Sequence, residues 1–301
     1  MVVETVLGPV DPAALGAVSM HEHLVSDLSA LVPGATLDDP DLAARELALA
    51  GAAGLGTVVD PTVWGFGGPS PVLPEIARAA GVHVIAGAGA YLGPTLPPWL
   101  QELSVDALTE HLVACLTSEL PGCGFRAGVL GLIGTGHPVA PVEERVLRAT
   151  AAAALQTGAC VLARVDARGG GAAPGLDLLL AEGVPGERIV LSNIDGLHAD
   201  RARLRELLAT GASLKWCFGY EAPPRAGLWS ATDAQRIDAV CDLGGEGSQV
   251  LACGIWTPSA LRAHGGFGYD HLMRTVVPRL RERGADVEGM LVDVPRRLLA
   301  R

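Results

Sequence analysis

Basic residues are scarce in this chain and nowhere gathered. Lysine and arginine number 22 against 33 aspartates and glutamates in 301 residues, giving a formal charge of -11 and a pI near 5.1. No Lys/Arg cluster interrupts that acidic background, so neither nucleic acid nor an anionic membrane is an expected partner. Small molecules remain. No uncharged apolar run reaches the ~18 to 20 residues that span a bilayer. The N-terminus, M-V-V-E-T-V-L-G-P, has no basic stretch ahead of an apolar one. A cytoplasmic location is the corresponding expectation. The six cysteines, Cys115, Cys123, Cys160, Cys217, Cys241 and Cys253, form no C-x-x-C pair, which argues against a disulfide framework and against a zinc knuckle. Four of them fall in apolar or helical stretches where a reduced thiol simply packs.

What the chain does have is apolar bulk. Hydrophobic residues make up 49% of it and the mean hydropathy is +0.35, enough for a large core in one barrel domain or two smaller units. No linker divides it. Short apolar, β-branched runs alternate with segments of helical period, the pattern of repeated βα units on a parallel sheet. Eight such runs occur: A-V-S-M-H-E-H, G-T-V-V-D, H-V-I-A-G-A, G-V-L-G-L-I, C-V-L-A-R, I-V-L-S-N, S-L-K-W-C and V-L-A-C-G-I. Helices are predicted at about 40–53, 70–80, 105–117, 141–157, 173–183, 199–210 and 231–243, with two more near 269–283 and 288–300. This order predicts an α/β fold, a (β/α)8 TIM barrel, as a single domain over 1–301. A short N-terminal β segment at 1–16 and C-terminal helices at 269–300 are expected to pack on it.

Chemistry in such a barrel sits at the C-terminal ends of the strands. There the first run ends in V-S-M-H-E-H-L, residues 18–24. Side chains alternate along a strand, so His21 and His23 share a face and one metal would reach both.

Longer motifs carry a family resemblance. V-E-T-V-L-G-P-V at 3–10, L-G-A-V-S-M-H-E-H-L at 15–24, T-V-V-D-P-T at 57–62 and V-I-A-G-A-G-A-Y at 84–91 resemble the phosphotriesterase-related family of the amidohydrolase superfamily. R-A-G-V-L-G-L-I-G-T-G at 126–136, E-E-R-V-L-R-A at 143–149, H-G-G-F-G-Y-D-H-L at 264–272 and V-P-R-R-L-L at 294–299 extend it over nearly the whole chain. The resemblance implies a phosphotriesterase-type barrel with a binuclear, zinc-like site that activates hydroxide against a phosphoester, lactone or other ester. It also implies the ligand set: H-x-H on strand one, a carboxylated lysine or glutamate on strand four, histidines on strands five and six, and an aspartate on strand eight. A homodimer is a reasonable further expectation. Of that set this chain keeps His21 and His23. The remaining four positions fall on Leu132, Arg164, Asn193 and Ile255.

Those replacements remove both protein anions and add a guanidinium that cannot be deprotonated, leaving little to offset two divalent cations. A mononuclear site would need a third ligand beside the histidines, from Cys217 or Asp60. The expectation is therefore no metal and no cofactor. Strand parity places Lys215 and Cys217 on the inward face of strand seven; together with the positions that the resemblance assigns, this gives an expected inner ring of His21, His23, Arg164, Asn193, Lys215 and Cys217, filled out by Leu132 and Ile255, with Asp60 the nearest carboxylate. Arg164 would clamp an anion, His21 or His23 would move a proton, and Asn193 would donate to an oxyanion. An inward Lys215, desolvated beside Arg164, would serve as a base or Schiff-base amine, or else lie deeper and pair with Asp60 or Asp195. Cys217 reads either as a nucleophile or as packing. Trp64, Phe66, Tyr91, Tyr220, Glu221 and Trp256 follow the strands and would shape the substrate end.

Three functions remain open on this reading. The first is a metal-independent enzyme performing acid/base chemistry, as a hydrolase, lyase, cyclase or isomerase, on a small anionic or carbonyl-bearing metabolite, with specialised metabolism and biosynthesis as the expected setting. The second is a metal-dependent ester, lactone or phosphoester hydrolase on a reduced, mononuclear site. The third is a non-catalytic binding or subunit protein on the inherited scaffold.

Overall fold

The computed structural model describes residues 1–165, 173–220 and 231–301. Eight parallel strands follow one another around a single sheet: β1 Ala17–Ser19, β2 Leu55–Asp60, β3 His83–Ala88, β4 Val129–Ile133, β5 Val161–Arg164, β6 Ile189–Ser192, β7 Ser213–Cys217 and β8 Gln249–Ala252. Backbone hydrogen bonds past the strand ends close the ring. Met20 N donates to Leu251 O at 3.0 Å, Gly254 N to His21 O at 2.9 Å and His23 N to Ile255 O at 3.0 Å. The fold is a TIM barrel, as the alternation of runs predicts.

Strand parity divides the apolar side chains into two cores. Val18, Val59, Ile85, Val129, Leu162, Val190 and Val250 point inward and fill the barrel. Their alternates, among them Val58, Val84, Leu130, Ala163, Leu191, Trp216 and Leu251, meet the surrounding helices in the larger outer core. Strand β7 contributes polar residues to the interior, with Lys215 wholly buried.

Helices begin where the sequence supplies caps. Asp39 accepts from Leu42 N at 2.8 Å ahead of helix Pro40–Ala52, and Thr232 and Gln235 form a capping box at Asp233–Leu243. At helix Pro141–Thr157, Glu143 accepts from Ala140 N at 3.0 Å, Gly136 N at 2.9 Å and Gly93 N at 2.9 Å, tying two rim loops to one carboxylate. An antiparallel pair, Val3–Thr5 with Gly8–Val10, joins the barrel through Val6 N to Val84 O at 2.9 Å. The last helix, Val294–Leu299, brings the C-terminus beside it, where Val2 and Arg301 exchange backbone bonds of 2.9 and 3.1 Å. Among the described residues no helix is long and apolar enough to cross a membrane.

Candidate active site

The mouth of the barrel holds a cavity of about 410 Å³, walled by His21, His23, Leu132, Arg164, Asn193, Cys217, Gly254 and Trp256, and by a second arc of Leu28, Leu31, Val32, Phe66, Tyr91 and Leu92. That size suits a small metabolite. Parity delivers the polar members: Arg164 is the inward residue two beyond Leu162, and Cys217 lies two beyond Lys215. Asn193 follows β6 with φ of 64°, a left-handed conformation that asparagine tolerates better than most residues.

Behind the cavity wall runs a continuous chain of hydrogen bonds. Lys215 Nζ abuts His21 Nδ1 at very short range and lies 3.3 Å from Cys217 Sγ. His21 Nε2 meets His23 Nε2 at 2.9 Å, and His23 Nδ1 meets Thr62 Oγ1 at 2.7 Å. Thr62 Oγ1 in turn makes a very short bond to Asp60 Oδ1, which also accepts from Thr62 N at 3.0 Å. His23 stacks on Phe66, with ring centroids 4.2 Å apart.

The chain has one consistent direction when Asp60 is ionised. A carboxylate only accepts, so Thr62 donates to it and must itself accept from His23 Nδ1–H. His23 Nε2 then carries a lone pair and accepts from His21 Nε2–H. His21 Nδ1 is left as an acceptor for Lys215, which as an ammonium only donates. A cation and an anion are thus joined through two neutral rings. Burial, then positive Lys215, then His23 hold His21 well below the usual imidazole range, and burial with Lys215 lowers His23 to about 3. Burial pushes Asp60 up to about 6 against its bonds from Thr62 and Leu24, so the anionic end exists above that pH.

Lys215 is the only lysine in the sequence, and Asn193 the only asparagine. At every other lysine-or-arginine position the chain has arginine, with its planar forked guanidinium, whereas Lys215 sets a compact amine against His21. The parity assignment of Lys215 to the interior agrees with the structure, but it lies deep, against His21 and Cys217, and is not among the cavity walls. It does not pair directly with Asp195, which accepts from Cys217 N at 2.9 Å and lies 3.3 Å from Arg236 Nε.

Other assignments change. Ile255 is not on the inner face: parity from Val250 runs through Ala252 to Gly254, and Ile255 joins the outer core with its N–H on Glu22 Oε2 at 3.1 Å. Gly254 takes the wall position, with φ of +68° and Cys217 Sγ only 2.7 Å from where a Cβ would stand. Trp64 turns away from the cavity. Its backbone bridges to Ala90, extending the rim, and its ring packs on Trp99 and His111 at 5.6 and 4.8 Å. Tyr220 is not a wall residue either, its hydroxyl donating to Gly254 O at 2.8 Å. Burial pushes the Cys217 thiol up to about 12, which leaves it a poor nucleophile. Glu221 lies outside the described residues. Sequence reasoning did not single out Thr62 or the wall residues Leu28, Leu31, Val32 and Leu92. For Thr62 the signal was D-P-T, whose aspartate and threonine stand two apart on an extended segment.

The match extends to known proteins along the whole chain. The phosphotriesterase family profile fits residues 1–299. This chain belongs to the phosphotriesterase family. An N-acetyltaurine hydrolase from Salmo salar is 30% identical over 339 residues, covering 99% of this chain and 97% of that protein. A phosphotriesterase-related protein from Nematostella vectensis is 34% identical over 239 residues, covering 77% of this chain and 68% of its own length. Among solved structures, a resiniferatoxin-binding protein from Rhodobacter sphaeroides superimposes with a TM-score of 0.91 at 29% identity, over 99% of this chain and 94% of that one.

The metal that the phosphotriesterase resemblance implies does not fit this donor set. Among the described residues no group of three or more His, Cys, Asp or Glu side chains converges on a point. A histidine that binds metal through Nε2 offers its Nδ1–H to an acceptor, usually a carboxylate, carbonyl or water. His21 Nδ1 faces Lys215 instead, a donor facing what would become a donor. On His23 the outer partner suits a ligand, since Thr62 and Asp60 accept. One suitable histidine does not make a site.

Proposed function

We propose that this phosphotriesterase-family chain is a metal-independent enzyme that cleaves or rearranges a carbonyl-bearing small molecule by relayed proton transfer. The contact of Lys215 Nζ with His21 Nδ1 carries this reading, because it aims a proton donor at one nitrogen of a ring that walls the cavity. The names of the relatives favour acyl-bond hydrolysis as the reaction.

For that reaction the roles follow from the direction of the chain. As the bond between the two Nε2 atoms opens to the substrate, His23 Nε2 takes a proton from a water that adds to the acyl carbon, while its Nδ1–H passes to Thr62 and the Thr62 proton to Asp60. His21 Nε2–H goes to the departing nitrogen or oxygen, and its Nδ1 takes a proton from Lys215. Asn193 and Arg164 are the wall donors for the oxyanion. Turnover leaves Lys215 neutral and Asp60 protonated. The 2.9 Å contact between the two Nε2 atoms then closes the cycle, as protons run back from Asp60 through Thr62, His23 and His21 to Lys215. No net proton is gained or lost.

A panel of N-acyl amides, lactones and aryl-alkyl esters, followed by mass spectrometry with and without chelator, tests the proposal. Turnover that survives chelation and falls roughly 10²- to 10⁴-fold in Lys215→Met is the expected result. Turnover that appears only on adding zinc, manganese or cobalt contradicts it. A second reading, a binding protein without turnover, draws on the apolar arc of the cavity and on the resiniferatoxin-binding neighbour. Stable, unconverted binding across the panel would establish that reading instead.

A further inference from the structure

A second groove lies on the rim, outside the barrel mouth. It measures about 280 Å³ and is walled by Asp27, Trp64, Thr95 and Trp99 over a floor of glycine backbone. It shares no lining residue with the larger cavity: the same loops turn Leu28, Leu31 and Phe66 toward the barrel and Asp27, Ala30 and Gly67 toward the groove. The two loops are tied together where Asp27 N donates to Phe66 O at 3.1 Å. A Cβ on Gly67, whose φ is +98°, would stand 2.7 Å from that same nitrogen, so glycine is required there and the floor stays bare. The next residue, Gly68, reaches the ring side, since a Cβ on it would lie 3.6 Å from Trp64 Cδ1. Two consecutive glycines thus span the floor from Asp27 to Trp64, and one small ligand can touch both.

The walls select for positive charge. Trp64 and Trp99 meet at 88° with ring centroids 5.6 Å apart, and perpendicular planes leave a corner in which one group faces two π surfaces. Trp99 is 41% exposed, so its ring is open to a ligand. A π face attracts cations. His111 backs the two rings at 4.8 and 5.3 Å, and burial holds it below the usual imidazole range, so it adds no opposing charge at neutral pH. Asp27 is the one charged residue in the described wall, is exposed and forms no ion pair among the described residues. Hydrogen bonds from Ser29, whose N lies 2.9 Å from Oδ1, and then from Thr36 Oγ1 at 3.2 Å hold its carboxyl below the usual carboxylate range. The wall hydroxyl of Thr95 already donates to Leu92 O at 2.8 Å. A primary ammonium would have to bring three N–H donors out of water to these few acceptors, whereas a quaternary ammonium brings none.

We infer that this groove is a second ligand site, one that takes a small quaternary ammonium compound with its methyl groups in the corner of Trp64 and Trp99 and its charge beside Asp27. The site is separate from the chain of histidines, and the proposed reaction does not depend on it.

Calorimetric titration of the whole protein at constant ionic strength with choline, 3,3-dimethylbutan-1-ol and ammonium chloride tests it. The alcohol has the shape of choline without its charge, and ammonium has the charge without the methyl groups. Choline is expected to bind at least about tenfold more tightly than either. Asp27→Asn keeps an acceptor for Ser29 and Thr36, loses the charge and is expected to weaken choline roughly two- to fivefold. Trp99→Leu, at an exposed position, is expected to weaken it roughly three- to tenfold, while Trp99→Tyr, which keeps an aromatic face, stays within about threefold of wild type. No saturable binding of choline, equal binding of the alcohol, tighter binding of ammonium, or choline binding unchanged by either Asp27→Asn or Trp99→Leu overturns the inference.

Discussion

If the chain from Lys215 to Asp60 is one directed unit, its two ends must be energetically coupled although Lys215 and Thr62 are separated by two imidazole rings. A double-mutant cycle of Thr62→Val and Lys215→Met measures that coupling. Thr62→Val keeps the shape but leaves His23 Nδ1–H, on a ring 1% exposed, without an acceptor, and removes the bond to Asp60. Those losses amount to about 3 kcal/mol. Lys215→Met strands His21 Nδ1, costing about 1 to 3 kcal/mol, but relieves the burial of an ammonium, so its net cost is smaller. Once either end is cut, nothing fixes the tautomers, and the rings can turn their protons toward whatever partner remains. The double variant is thus expected to lose about 1 to 2 kcal/mol less than the sum of the singles. Urea unfolding of the four proteins, compared at equal m-values, reads this difference. Additivity within about 0.5 kcal/mol would refute the directed chain, leaving two histidines that bond independently.

Two further outcomes follow from burial and charge. His23 is depressed from 6.5 to about 3, so its contribution to stability is complete above pH 6.5 and is lost as pH falls toward 3, by about 1.4 kcal/mol per pH unit. Asp60 is raised from 3.8 to about 6, so the folded state holds its proton more tightly between those values and acidification there favours folding by a similar slope. Asp60→Asn removes that opposing slope and is expected to lose stability from pH 6 to 4 about 1.4 kcal/mol per unit more steeply than wild type; parallel profiles in urea would count against the assignment. Because the only lysine is fully buried, reductive methylation of the folded protein is expected to modify the N-terminus alone, and Lys215 only after unfolding. Ready methylation of native Lys215, read by peptide mass spectrometry, would show that it opens onto the cavity.

Much of the fold was legible because period-2 and period-3.6 patterns alternate eight times and the helices begin at recognisable caps. Parity along β7 also placed Lys215 and Cys217 on the inner face, and the ligand position that the resemblance assigns on β5 put Arg164 there. The assignments failed where regular strand gives way to irregular backbone, beginning with the position that the resemblance gives on β8. After Ala252 the assignment skipped to Ile255, whereas the inward position belongs to Gly254, a residue with no side chain to signal its direction. After Asp60 the chain turns at D-P-T, which reads as a loop start, yet Thr62 is folded back between Asp60 and His23. Trp64 turned outward because its backbone pairs with Ala90, a contact between two loops that no local pattern encodes. The apolar arc of Leu28, Leu31 and Val32 is likewise set by tertiary folding of the β1 loop, where Leu28 N bonds Ala35 O at 2.8 Å.

In the proposed function Lys215 sets the tautomer of His21 and proton transfer takes the place of metal ligation. Long-range proton–nitrogen correlation spectra of histidine-labelled protein, recorded above pH 6 before and after adding zinc, test it most directly. The expected result is His21 protonated on Nε2 and His23 on Nδ1, both neutral and both unchanged by zinc. Both rings protonated on Nδ1, with their Nε2 signals shifted by zinc, would contradict it.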